Sequence, residues 1–107
     1  MARAFTLENN ISNITQIIAY TLPNSKVIIF GSYARGTQNE HSDIDICVIV
    51  DDLKMRRIEA CHLLRKSFIG KINVPIDILV FEKKDFEENS KNPSTIEYTI
   101  AKEGVEL

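Results

Sequence analysis

A chain of 107 residues is long enough for one hydrophobic core and too short for two. With 44% hydrophobic and 26% charged residues it has the make-up of a folded globular protein, not of a disordered segment. A formal net charge of -2 excludes a general binder of bulk nucleic acid, though not a nucleotide held by a metal ion and local amides.

The opening stretch MARAFTLENN lacks the apolar core of a secretory signal, and no run reaches membrane-span length. The expectation is one domain over residues 1–107, cytoplasmic and reduced. Leu7, Ile11, Ile14 and Ile18 recur at helical spacing and predict a first helix, with Thr6 as N-cap and Pro23 just beyond the end. KVIIF (26–30) is a short β-branched run stopped by Gly31 and reads as a buried strand. SYARG then starts a short helical turn that Gly36 ends, and 37–42 is loop. DIDICVIV (43–50) is a second strand whose continuous apolar run implies cover on both faces.

Asp51 or Asp52 is placed to cap a helix carrying Ile58, Cys61, Leu64 and Phe68 on one side and ending before Gly70. VPIDILVF (74–81) is a third strand, with Pro75 tolerated near its start or on an edge. A weaker helix follows around 84–90. Ser94-Thr95-Ile96-Glu97 reads as a capping box opening a last helix that Gly104 terminates. The connection between the first two strands is short for a helical crossover, so they are expected to run antiparallel. The second and third strands have a helix between them and suit a parallel pair. The expected fold class is α/β, a small mixed sheet of three strands with flanking helices. Cys47 and Cys61 have neither CxxC nor Cys/His metal spacing and read as buried thiols.

The chemistry concentrates in GSYARGTQNEHSDIDI (31–46). Alternation along a strand sends Asp43 and Asp45 to one face, their Cβ atoms about 6–7 Å apart, within reach of one hard cation or of two held between them. Alone, such a pair is equally a solvated strand start. Asp77 interrupts an otherwise apolar strand, where a charge needs an arginine, an exposed edge or a cation. If it lies beside the second strand, three carboxylates make a two-metal site suited to phosphoryl or nucleotidyl transfer. Gly31 lets a phosphate approach the backbone amides at the helix start, Ser32 adds a hydroxyl donor and Arg35 a fork of donors.

GS, ten residues, DxD and a later strand aspartate resemble the minimal nucleotidyltransferases of the DNA polymerase β superfamily. Ala34-Arg35-Gly36, Ser42 and the closing IAKEGVEL fit the same pattern, so the resemblance covers nearly the whole chain. It implies the polymerase β palm-like nucleotidyltransferase fold and transfer of AMP from ATP, with two Mg2+ ions on Asp43, Asp45 and Asp77 as catalytic and metal residues. Gly31, Ser32 and Arg35 would bind the nucleotide. Members of this size resemble antitoxins that adenylylate a tyrosine of a helical HEPN toxin, which makes such a toxin the implied partner. The competing class is a binding-only antitoxin that occludes its partner and carries a vestigial site. His41 is either a nucleotide contact or a solvated loop residue. Arg56, Arg57, Arg65, Lys66 and Lys71 form either a solvated helix face or a patch for an acidic partner. Tyr33 either lines the site or packs.

Overall fold

The computed structural model describes residues 2–39 and 41–107, with side chains from residue 10 onward. In chain order they form α1 (Ala2–Thr21), β1 (Ser25–Phe30), α2 (Ser32–Arg35), β2 (Ile44–Val50), α3 (Arg57–Phe68), β3 (Ile76–Glu82), α4 (Lys83–Asn89), α5 (Ile96–Glu103) and β4 (Val105–Glu106). The strands lie in the order β3-β2-β1-β4. β1 runs antiparallel to β2 and β4, and β2 runs parallel to β3 across the α3 crossover. This is the mixed α/β sheet expected, with one strand more.

Both faces of the sheet are covered, as the apolar run of β2 requires. Ile44, Ile46, Val48 and Val50 point to one side with Val27, Ile29, Ile78 and Val80. There they meet Ile14, Ile18 and Leu22 from α1 and its end, and Ala60, Leu64 and Phe68 from α3. Cys47 and Ile49 point the other way with Ile28 and Phe81, under Phe86 of α4 and Ile100 of α5. Each aliphatic side chain fully withdrawn from water contributes roughly 1.5–3 kcal/mol. Two thin cores on one central strand are therefore enough to fix its register, and a slip by one residue would exchange the faces. Among the described residues no helix is long and apolar enough to cross a membrane.

Four local expectations are corrected. Thr6 lies inside α1 and is not its cap, while the Leu7 side chain falls outside those described. α3 starts at Arg57, several residues after Asp51 and Asp52. The intervening chain is held as loop, with Leu53 N–H donating to Glu82 at 3.2 Å and Lys54 paired with Asp52 at 2.6 Å. The buried stripe of α3 is consequently Ala60, Leu64 and Phe68, and Ile58 is 58% exposed. Thr95, not Ser94, caps α5, its hydroxyl accepting from Tyr98 N–H at 3.1 Å. Glu97 closes no capping box: it is buried and accepts from Asn89 Nδ2 at 2.8 Å, tying α4 to α5. Lastly, β4 adds a fourth strand, Val105 opposite Ile29 and Glu106 opposite Ile28.

The basic residues of α3 divide by position. Arg57, Cys61 and Arg65 are four residues apart and therefore share one face. They donate to alternate carbonyls of the edge strand β3: Arg57 Nε to Val80 at 2.7 Å, Cys61 Sγ to Ile78 at 3.8 Å and Arg65 Nη1 to Ile76 at 3.3 Å. Arg57 also lies over the Phe81 ring, 4.4 Å from its centre. Exposed strand edges invite pairing with other chains, and these three side chains occupy acceptors that such pairing needs. Arg57 and Arg65 thus serve the fold, and Arg56 pairs with Glu59 at 2.6 Å. Lys66 and Lys71 remain on the exposed surface.

Cys47 is fully buried, and burial first, then the nearby Glu97 carboxylate, pushes its thiol up to about 12 against a smaller opposing effect of Arg57. Cys61 is only half-buried, a correction to its sequence reading, and both are free thiols. The thiolate is the reactive form. Alkylation of native protein at pH 8 should label Cys61 and spare Cys47 until denaturant is added, as read by peptide mass mapping. Equal labelling of the two in the native state would contradict this packing.

Candidate active site

The site begins where β1 runs out. Gly31 follows Phe30 with φ 73 and ψ -151, a conformation open mainly to glycine. The close approach of another element is a second constraint: a Cβ built on Gly31 would overlap Asp45 Oδ2 and lie 3.0 Å from its Cγ. The chain then makes the single turn α2, with Arg35 N–H donating to Gly31 O at 3.1 Å and Thr37 N–H to Ser32 O at 2.9 Å. Gly36, left-handed at φ 74, ends it as expected. Ser32 opens the turn and is half-buried. Tyr33 packs on the larger core, which decides its role in favour of packing.

Asp45 meets this turn, with Asp43 and Asp77 as its neighbours. β2 starts at Ile44, so Asp43 stands one residue ahead of the strand and is exposed. Asp45 lies opposite Phe30 in the antiparallel pair and opposite Asp77 in the parallel pair. Asp77 is exposed on the edge strand, as the exposed-edge account expects, and its strand does lie beside β2. Burial raises the Asp45 carboxyl above its ordinary value. The neighbouring Asp77 and Asp43 charges and a hydrogen bond to Asp77 add to the shift, while Arg35 opposes it.

Arg35 does not stand free. Its Nη1 donates to Glu103 Oε2 at 3.1 Å, from the last residue of α5. Glu103 was not among the site residues named from the sequence, although it lies in the closing IAKEGVEL: it is 68 residues downstream and reaches Arg35 only through the fold. His41 N–H donates to Asn39 Oδ1 at 2.8 Å, and Ser42 Oγ accepts from Asn39 N–H at 2.9 Å, so these loop residues brace the approach to Asp43.

The donor set fits a hard divalent cation. All three acids offer oxygen, and the Asp45 carboxyl, raised first by burial and then by the Asp77 and Asp43 charges, is one whose charged form a cation would favour. Among the described residues no three His, Cys, Asp or Glu side chains are grouped closely enough to hold a metal ion by themselves. Mg2+ does not need three, since it binds through one or two carboxylates and completes its shell with water and substrate phosphates.

A strand-to-helix glycine turn is thus packed against an acid that faces a second acid on the adjacent strand. The nucleotidyltransferase domain family matches residues 11–103, and the chain belongs to that family. A protein of Methanocaldococcus jannaschii named "Putative protein adenylyltransferase MJ1305" is 41% identical over 70 residues, which is 63% of this chain and 48% of the relative. The chain thus matches about half the length of that relative. Among solved structures, a toxin–antitoxin complex with AMP-PNP superposes with a TM-score of 0.65 at 24% identity, over 91% of this chain and 71% of the other. A mutant of the MntA–HpeT toxin–antitoxin, in which a pair of aspartates is changed to glutamates, gives 0.64 at 20% identity, over 91% and 70%. At those identities the likeness establishes the shared fold.

Proposed function

We propose that this protein is a cytoplasmic Mg2+-dependent nucleotidyltransferase that moves AMP from ATP to a protein hydroxyl, a tyrosine of a helical HEPN-type toxin, and so acts as an antitoxin. The observation that carries the reading is the junction of Gly31 with Asp45 and of Asp45 with Asp77. A glycine forced by a carboxylate, which itself sits against a second carboxylate, is costly packing without a cationic ligand. The curated relative's name supports protein adenylylation. The toxin–antitoxin neighbour crystallised with AMP-PNP supports an adenine nucleotide. In the mutant neighbour the two substituted aspartates are separated by a single residue, the same spacing as Asp43 and Asp45.

In this reading Gly31 and Ser32 receive the triphosphate through the backbone amides and hydroxyl at the start of α2, and Arg35 supplies charged donors to it. Asp43, Asp45 and Asp77 would hold two Mg2+ ions. When bound, these ions would neutralise charge on the triphosphate and assist both the attacking hydroxyl and the departing pyrophosphate. Asp77, on the exposed edge, faces the acceptor side. A tyrosine hydroxyl titrates near pH 10 and needs help to lose its proton, and Asp77 is placed to accept it. The hydroxyl oxygen then bonds to the α-phosphorus as the bond to the bridging oxygen breaks, leaving pyrophosphate. Asp43 and Asp77 are exposed and Asp45 half-buried, so the acids lie open to solvent, and an acceptor that brings its own surface would complete the site. Residues 1–107 would work as one minimal domain.

The test is incubation with labelled ATP, Mg2+ and the product of the neighbouring gene, followed by mass measurement of both proteins. A gain of one adenylyl group on a tyrosine of the partner is the expected result. ATP and Mg2+ together should also raise the melting temperature more than either alone. For millimolar ligand at about 0.1 mM affinity the stabilisation is roughly 1–1.5 kcal/mol. A melting curve indifferent to Mg-ATP sinks the nucleotide site itself. No adduct in the presence of binding sinks only the choice of acceptor.

A further inference from the structure

We propose that Glu103 is a positioning residue for the nucleotide, acting through Arg35. This rests on the reading of the site just given and adds to it a residue that touches neither metal nor substrate.

The geometry has two parts. Arg35 bonds Glu103 through Nη1 at 3.1 Å, and its backbone N–H donates to Gly31 O at 3.1 Å, within the turn that packs on Asp45. One arginine thus joins a carboxylate on α5 to the turn that meets the acids. The bond uses one of the five N–H donors of the fork and leaves others for a phosphate.

Without Glu103 the guanidinium would be free to turn toward the acids on which its own turn packs. A guanidinium drawn onto Asp43, Asp45 and Asp77 would neutralise the charge that the cations require and would leave the phosphate position. Glu103 holds it off.

Glu103 can do this because it is rigidly mounted. It is the last residue of α5, and the next residue, Gly104, is packed so closely on β1 that an added Cβ would overlap Ile28 Cγ2. One residue further on the chain is paired to β1 as β4, opposite Ile28 and Ile29, in the strand that delivers Gly31. The carboxylate and the phosphate turn are thus anchored to the same strand. A stabilising role explains little of this arrangement. The Arg35 and Glu103 side chains are 50% and 35% exposed, and ion pairs in such surroundings contribute little to folding.

The experiment is titration of the full chain with a fluorescent ribose-labelled ATP in Mg2+, alongside melting curves without nucleotide. Glu103→Gln should melt with the wild type and raise the dissociation constant about fivefold, while Glu103→Asp, which retains the charge, should recover most of the affinity. Arg35→Ala should weaken binding by more than about tenfold, and adding Glu103→Gln to it should change nothing further. Unchanged affinity in Glu103→Gln, or an equal further loss in the Arg35→Ala background, overturns the inference while leaving the site intact. Tighter binding in Glu103→Gln overturns it too, because Glu103 would then compete with the phosphate for Arg35. Failure of the wild-type chain to bind the probe overturns both this inference and the nucleotide site on which it rests.

Discussion

Replacement of Asp45 or Asp77 by asparagine should lower adenylyl transfer by at least about a thousandfold while leaving the fold intact, and Asp45→Asn should make the metal-free protein more stable. Loss of activity follows because an amide neither carries the charge to hold Mg2+ nor accepts a proton at neutral pH. The gain in stability follows from the raised Asp45 carboxyl, caused first by burial and then by Asp77 and Asp43. A group whose folded-state pKa is raised stabilises the fold below its ordinary value near 3.8, and that contribution is lost as pH rises through the folded value. At pH 7 the charged form is therefore a burden, so in chelator the Asp45→Asn advantage should be full at neutral pH and should vanish on acidification. Mg-ATP should reverse the order by stabilising only the wild type. Asp43→Asn should likewise stop transfer, yet still bind the partner. If Asp43→Asn protected cells from the partner as well as wild type at equal expression, occlusion would be sufficient and catalysis would not be the biological activity. Unfolding of the asparagine variants would mean that the acids are structural partners.

The legible part of this molecule is what local pattern controls. Alternation and β-branched runs placed β1, β2 and β3 to within two residues at each end, and the short connection through α2 gave their relative directions. Gly31, Asp43, Asp45 and Asp77 could be named because each breaks a local rule: a glycine between strand and helix, and charges at the start of or within apolar strands. Local violations of that kind concentrate at functional sites. What escaped is what only tertiary contact decides. Ser94 and Thr95 are both competent N-caps with a glutamate nearby, but the Ser94 hydroxyl is bonded back to Asn92 and it is Thr95 that accepts from Tyr98 N–H. β4 is two residues long and has no period of its own, so only its pairing with Ile28 and Ile29 makes it a strand. Arg35 was readable as a phosphate ligand, but its anchor Glu103 was one acidic residue among 15.

Gly31→Ala should cost activity far more than stability, and its comparison with Gly36→Ala separates the two reasons for glycine at a turn. The two residues share φ, 73 and 74, but not ψ: Gly36 at 19 is left-handed, where an added Cβ costs on the order of 1–2 kcal/mol, whereas Gly31 at -151 lies in a region open essentially to glycine alone and costs more. Their surroundings differ completely: nothing lies within 4 Å of a Cβ at Gly36, whereas at Gly31 it would overlap the Asp45 carboxylate. Gly36→Ala should therefore lower the melting temperature by several degrees, roughly what that strain predicts for a domain of this size, and leave most of the transfer activity. Gly31→Ala must also move Asp45 away from the turn. Asp45 lies directly opposite Asp77 on the adjacent strand, so displacement of one carboxylate disturbs the other. An error of about 1 Å in a reacting constellation is worth on the order of a hundredfold in rate, and transfer by Gly31→Ala should fall by at least that much. Combining Gly31→Ala with Asp45→Asn should add almost nothing to the loss from Asp45→Asn alone, because both changes remove the same carboxylate from its working position. If instead Gly31→Ala and Gly36→Ala lost equal activity for equal loss of stability, the contact between Gly31 and Asp45 would have no part in the reaction, and the turn would be only a turn.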